Sequence, residues 1–404
     1  MTPMPLPADV HFLIDTLAGF GHRADVVGGS VRDFLRGIPP HDFDMATDAT
    51  PEEMKRAFAS CRVIETGIRH GTLTVLRGGT PYEITTYRVD GDYADHRHPD
   101  GVSFTRDLTA DLARRDFTVN AIAYHPTYGY TDPFGGREDI AARRLRAVGD
   151  PRRRFEEDAL RILRALRFSA TLDFEIEEKT AEALRAAAPT LSAVSVERVD
   201  TEWQKWMAGT AAAGTLARFA DLLPHFFPEL ADSPAVRTLS ADCPPNLRTW
   251  YLFAPFSDAV SRYDSAMRRL HADNRRRLSG IAVLSHLDAP VDTDAALLTL
   301  LAEIGEENTD RLLTLRAVRG EGAAAYARSR LTALLDAHAS YRVADLAIGG
   351  EELATLGFRK KEIGQTLGYL IEEVRRGNLK NEKEELLTAA RKRHSEGEEQ
   401  RENK

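Results

Sequence analysis

Two aspartates, Asp42 and Asp44, stand one residue apart shortly after the stretch Val26-Val27-Gly28-Gly29-Ser30-Val31-Arg32-Asp33. On an extended strand, residues i and i+2 share a face, so the two carboxylates would lie roughly 6 to 7 Å apart while Phe43 turns toward a core. Paired hard carboxylates opposite a phosphate-binding turn suit Mg2+ held between protein and nucleotide phosphates. The arrangement fits two-metal phosphoryl or nucleotidyl transfer, with ions about 3.5 to 4 Å apart. Asp42 and Asp44 are thus both the predicted metal ligands and the predicted catalytic residues. The turn opposite them is explained by its glycine pair, which lets the backbone reverse tightly before a helix over 30–37. That helix would present the free N–H groups of its first turn to an anion.

A second group of charges follows Asp150-Pro151: Glu157, Asp158, Arg161, Arg164 and Arg167 recur at three- and four-residue intervals. That spacing predicts one face of one long helix. A surface laced with ion pairs is one reading, and recognition of a nucleobase is the other. Cytosine and adenine each present an amino donor beside a ring-nitrogen acceptor, so an acceptor-only Asp and a donor-only Arg can read both. Uracil and guanine present the reverse and would leave Asp158 and Arg161 unpaired, the kind of mismatch that discriminates strongly. Selection of this kind needs no nucleic-acid template.

The elements around these residues are legible from pattern. Residues 8–20 read as an amphipathic helix, and Ala24, Val26 and Val27 as a strand. Thr50-Pro51-Glu52-Glu53 opens a helix to about Ala59, with Thr50 and Glu53 as a capping box. Residues 71–77 and 82–88 alternate as paired strands would, placing Glu83 as a possible third carboxylate near the metal or as an exposed strand residue. Residues 89–106 read as a polar loop, so the i, i+2 histidines His96 and His98 are not taken as a metal pair. Beyond about residue 210 the pattern is helical, with breaks at Cys243-Pro244-Pro245-Asn246 and Gly349-Gly350, and 394–404 reads as charged and disordered. His271 and Asp273 superficially suggest a metal phosphohydrolase, but no partner histidines follow.

Composition excludes several classes. At 404 residues the chain can hold two or more domains, and it shows neither a signal-peptide pattern nor an apolar run of membrane-spanning length. A cytoplasmic protein without a membrane span is expected. Two cysteines, Cys61 and Cys243, support neither a disulfide framework nor a zinc site, and are expected as buried thiols. The net charge of -8 argues against a generic polyanion binder. Yet nine arginines stand against four acids between Arg143 and Arg167, as a selective nucleic-acid partner would require.

Gly-Gly-x-Val-Arg-Asp followed by Asp-x-Asp resembles the nucleotidyltransferase head of the polymerase beta superfamily, specifically the class II tRNA nucleotidyltransferases and bacterial poly(A) polymerases. Leu108 to Ala123 is similar to the family's second motif, Glu157-Asp158-x-x-Arg161 to the amino-acid template of class II CCA-adding enzymes, and Ser195-Val196-Glu197-Arg198 with Glu202 and Lys205 to the last head-and-neck motif. The tail from Asp345 to Asn381 continues the likeness. The resemblance implies an α+β fold: a small mixed α/β head (1–148), then an all-helical neck (149–210), body (211–330) and tail (331–393), seahorse-like in outline. It implies attack of a tRNA 3′-hydroxyl on the α-phosphate of CTP or ATP, with Mg2+ as cofactor. Gly29 and Arg32 would hold the triphosphate, Arg115 the triphosphate or sugar, and Asp116 a ribose hydroxyl. Asp158 and Arg161 would choose the base, with Arg164 and Arg167 as further nucleotide contacts, while Glu197 and Arg198 would brace the neck. The 89–106 loop is similar to the flexible loop with which class II enzymes switch nucleotides, which speaks against a CC-only enzyme. An A-adding enzyme, a poly(A) polymerase or a non-catalytic RNA-binding relative are the alternatives. No obligate protein partner is expected.

Overall fold

The computed structural model describes residues 3–90 and 102–402, so Asp95–Asp100 with its two histidines lies outside the described residues. The chain divides into two compact units, one comprising 1–232 and 236–241, the other 233–235 and 242–404.

The first unit is built on a seven-stranded mixed sheet. Helix α1 (Ala8–Gly19) leads into strand β1 (Ala24–Val27), whose four residues are all buried, as befits a central strand. After α2 (Gly29–Leu35) come β2 (Met45–Thr47), α3 (Pro51–Ala57), β3 (Arg62–Ile64), β4 (Thr72–Arg77) and β5 (Thr80–Thr86). Thr50 caps α3 and Glu53 returns the bond to its backbone, the capping box expected from sequence. A ribbon of β6 (Arg88–Asp90) and β7 (Val102–Phe104) stands apart from the sheet. Helix α4 (Leu108–Ala113), β8 (Ala123–His125), β9 (Gly129–Thr131) and α5 (Gly136–Ala141) complete the head. Strand order is β3-β4-β5-β2-β1-β8-β9, parallel between β2 and β5 and antiparallel elsewhere. Strands β4 and β5 close through Gly78-Gly79, both at positive φ, the backbone that a two-residue hairpin demands. Tyr82, Ile84 and Thr86 face inward from β5, and Glu83 faces out.

Strand β10 (Arg144–Leu145) pairs in parallel with β11 (Glu175–Ile176), which brackets α6 (Pro151–Glu157) and α7 (Leu160–Leu172). The single helix expected from Asp150 onward is therefore two. Asp158 is extended, at φ -141° and ψ 105°, and separates them. Side-chain periodicity runs through the break because one extended residue barely alters the count of charges. Helices α8 (Glu178–Ala187) and α9 (Val196–Ala208) follow, with Trp203 and Trp206 packed against Phe226. One apolar cluster joins Val27, Ala46, Tyr87, Leu108, Leu112, Ala121, Ala123 and Val148. It fixes strands β1, β2 and β8 to helix α4, the elements that carry the charged residues described below.

The second unit is helical among its described residues. Its longest helices are Asp294–Val318, Gly322–Asp336, Lys360–Arg375 and Lys383–Glu402. Leu346, Leu353, Phe358, Leu370, Ile371, Leu386 and Ala390 form a core. Helix continues to Glu402 where charge density predicted disorder. A helix already docked through Leu386 and Ala390 extends at low cost through Glu, Lys, Arg and Gln, all good helix formers. His271 and Asp273 serve helix ends: His271 adopts φ 52° after the helix Ala259–Arg269, and Asp273 caps the helix Asn274–Ser285. Cys243 is buried and its thiol pushed up to about 11, whereas Cys61 is half-buried. No described helix is long and apolar enough to cross a membrane.

Candidate active site

A cavity of about 870 Å³ in the first unit is lined by Gly28, Gly29, Arg32, Asp42, Asp44, Arg115, Asp116, Asp158, Arg161, Arg164 and Arg167, among others. Every residue assigned from sequence to catalysis or nucleotide binding thus lines one space, whereas Glu83, the possible third carboxylate, is not among the lining residues. The two places on which the reading rests, Asp42/Asp44 and Asp158/Arg161, share it.

The carboxylate pair sits just ahead of β2 rather than within it. The extended lead-in is nonetheless held in place, because the Val27 N–H donates to the Asp44 carbonyl at 2.9 Å. Phe43 is half-buried and both aspartates are solvent-open. Desolvation at the cavity wall, then the charges of Asp42 and Glu83, push the Asp44 carboxyl above its ordinary range, with Arg115 opposing. Such mutual repulsion of carboxylates is what a divalent cation relieves, so the donor set fits Mg2+. Among the described residues no cluster of three or more His, Cys, Asp or Glu forms a metal cage. Two carboxylates completed by phosphate and water oxygens are the coordination that Mg2+ favours.

Beside them, Gly28 adopts φ 73° at the start of α2, and a Cβ there would stand 3.2 Å from Arg115 Nη1. A side chain at this point would be strained and would crowd the arginine. Arg32 is buried and held by two neighbours: Nη1 donates to Asn120 Oδ1 at 2.7 Å, while Nε and Nη2 donate to Asp33, which leaves further N–H groups of the guanidinium for an anion. Asn120 Nδ2 donates in turn to Asp116 Oδ1 at 3.0 Å. Asp116 also accepts from the Phe117 N–H at 2.8 Å and from Arg164 Nε and Nη2 at 2.8 and 2.5 Å. Burial alone would raise its carboxyl, but Arg164, Asn120 and the Phe117 N–H bring it down to about 2. Four donors fill its acceptor sites, so a ribose hydroxyl would have to displace one of them. Arg115 gives Nη2 to Asp111, and its Nε is buried without a hydrogen-bond partner among the described residues, a donor suited to an anion.

In the same cavity, Asp158 and Arg161 are held by separate partners rather than by each other. Asp158 Oδ1 accepts from the Leu160 N–H and Oδ2 from Arg198 Nη2 at 3.1 Å. Arg161 Nη1 donates to Glu157 Oε2 at 2.6 Å and to the Arg154 carbonyl, and Nη2 donates to the Arg114 carbonyl. Those three bonds leave further N–H groups of the guanidinium for a base, and Asp158 keeps lone pairs on each oxygen. Arg167 Nε donates to Glu202 at 2.5 Å and its guanidinium lies 3.7 Å from the centroid of the Phe168 ring, which Arg32 and Arg164 also approach. The dense arginines between 143 and 167 do not form one face. Arg143 and Arg144 pair with Asp173 and Asp139, whereas Arg161, Arg164 and Arg167 turn to the cavity.

Sequence reasoning missed Asn120, Arg88, Arg114 and Phe168 as lining residues, and cast Arg198 as a brace without placing it at the cavity. Asn120 stands in the same Leu108–Ala123 stretch as Arg115, which was the available signal.

Comparison with known proteins agrees with this geometry. The Poly A polymerase head domain family matches residues 24–146, and the family described as a probable RNA and SrmB-binding site of polymerase A matches 173–233. The chain is 36% identical to the CCA-adding enzyme of Enterococcus faecalis over 94% of each chain, and 37% identical to that of Lactobacillus delbrueckii over 91% of this chain and 93% of the relative. A solved structure of the Bacillus stearothermophilus CCA-adding enzyme in complex with CTP superposes with a TM-score of 0.80 at 30% identity, covering 98% of this chain and 100% of that one. The chain belongs to the CCA-adding enzymes, the tRNA nucleotidyltransferases that add C and A to the tRNA 3′ end.

Proposed function

We propose that the cavity binds CTP and ATP in turn, with the phosphates toward α2 and β2 and the base toward α7, and that a tRNA 3′-hydroxyl attacks the α-phosphate there. The new bond joins the 3′-oxygen to the α-phosphorus as the hydroxyl proton passes to solvent; the bond from the α-phosphorus to the α–β bridging oxygen breaks, and pyrophosphate leaves with that oxygen. Asp42 and Asp44 would hold Mg2+, which when bound supplies charge neutralisation for the triphosphate and activation of the hydroxyl. Gly29, Arg32 and Arg115 receive the phosphates. Asp158 accepts from the amino group of cytosine or adenine while Arg161 donates to the adjacent ring nitrogen, so both bases satisfy the same two side chains. Arg164 and Arg167 supply further positive charge along the nucleotide, and Asp116 receives the ribose when Arg164 yields. The observation that carries this reading is the convergence of all ten residues on one cavity. The enzyme acts in the cytoplasm, where tRNA ends are built.

The test is incubation of the purified protein with Mg2+, labelled CTP or ATP, and tRNA transcripts ending before the first C, after one C, or after both. Stepwise addition of C, C and A is expected. Incorporation of ATP alone would reassign the protein as A-adding, runs of A as a poly(A) polymerase, and no incorporation as an RNA-binding relative.

A further inference from the structure

Asp111 is fully buried on α4 and is not among the cavity-lining residues, yet three cavity arginines are tied to its two oxygens. Oδ1 accepts from Arg114 Nε and Nη2 at 2.9 and 2.8 Å and from the Arg88 backbone N–H at 3.2 Å. Oδ2 accepts from Arg115 Nη2 at 3.2 Å. Arg88, Arg114 and Arg115 all line the cavity. The other contact of Arg115, Nη1 to the Asn120 carbonyl, is longer at 3.4 Å, so Asp111 makes the shorter and charge-assisted of its two bonds. Just beyond this acid, the last carbonyls of α4 and its cap receive neck arginines: Ala113 from Arg154, and Arg114 from Arg161.

We propose that Asp111 is a positioning residue for nucleotidyl transfer. Its carboxylate fixes Arg115 at the triphosphate and anchors the backbone at the start of β6, so that the phosphate-side arginines are ordered before the nucleotide arrives. Burial would favour the neutral acid, but Arg114 and Arg115 hold the carboxyl below its usual range, which keeps it an acceptor at neutral pH. A buried anion behind the arginines weakens their net charge; what it gives in exchange is geometry, since an arginine already aimed loses less side-chain freedom on binding. This inference rests on the reading that Arg115 holds the triphosphate.

The experiment measures steady-state kinetics of Asp111→Asn, Arg115→Ala and the double variant, each checked for native thermal unfolding. Asp111→Asn keeps the shape and one acceptor but removes the charge. Its KM for CTP and for ATP should rise together by about tenfold, the effect of losing one charge-assisted hydrogen bond. Its KM for tRNA and its preference for C and A over U and G should stay within about twofold of the parent, a split that a general loss of folded enzyme would not produce. In the Arg115→Ala background the same change should add nothing, because Asp111 acts through Arg115. The proposal is overturned by a folded Asp111→Asn with unchanged nucleotide KM, by a fall in kcat alone, or by an undiminished effect in the double variant. If Arg115→Ala itself leaves nucleotide KM unchanged, the assignment of Arg115 to the triphosphate fails first and takes this inference with it.

Discussion

At the scale of single residues, the site works by satisfying charges before the substrate arrives. Asp116 shows the energetics most directly. Its four donors bring the carboxyl down to about 2, below the ordinary aspartate range, despite full burial. A folded value below the unfolded one means that the stabilisation is complete above pH 4 and drains away as pH falls toward 2. A shift of this size corresponds to about 2 kcal/mol. Asp116→Asn should therefore unfold more easily at neutral pH by about 2 kcal/mol, since Arg164 loses its anionic partner. Between pH 4 and pH 2 the variant should lose less stability than the parent, and denaturant melts across that range would show it. Parallel loss in both proteins would mean that Asp116 is not the group titrating there.

At the scale of elements, the break between α6 and α7 matters most for function. A continuous helix would commit the backbone of Asp158 to the helical ladder; the extended residue instead turns its side chain onto the Leu160 N–H and Arg198, at the cavity wall. Asp158→Ala should consequently lose preference for C and A over U and G much more than it loses triphosphate binding, together with about 1 kcal/mol of stability for the lost hydrogen bond to the Leu160 N–H. Competition assays with all four nucleotides decide it, and equal losses in both quantities would end the base-reading role. The break also marks the limit of what the sequence disclosed. Asp42, Asp44, Gly28 and the Thr50/Glu53 cap were legible because each depends on neighbours within a few residues. The partners of Asp158 and Arg161 were not: Glu157 rather than Asp158 takes Arg161 because the φ and ψ of one residue rotate Asp158 away, and Arg198 arrives from forty positions downstream. Asp111 was hidden differently: Arg114 and Arg115 lie three and four positions on, but its full burial and the bond from the Arg88 N–H on β6 come only with the tertiary fold.

At the scale of the whole molecule, every lining residue falls between Gly28 and Lys205, inside the first compact unit. The apolar cluster that ties β1, β2 and β8 to α4 belongs to that unit too. The chain does not pass cleanly from one unit to the next. Residues 233–235 group with the second unit, and 236–241 return to the first. A cut after Asp232 therefore strips the first unit of the buried side chains Val236 and Leu239, whereas a cut after Ala241 keeps them. The fragment 1–241 should fold and bind CTP with Mg2+ at an affinity within about threefold of the full chain, a difference under 1 kcal/mol. The fragment 1–232 should unfold at lower temperature, because burying each of the two lost aliphatic side chains is worth about 1.5 to 3 kcal/mol. Calorimetric titration of CTP into both fragments, alongside their melting curves, separates the two effects. A folded 1–241 that takes up no nucleotide would show that the cavity is not self-sufficient, and that residues after 241 complete the binding site despite lining none of it.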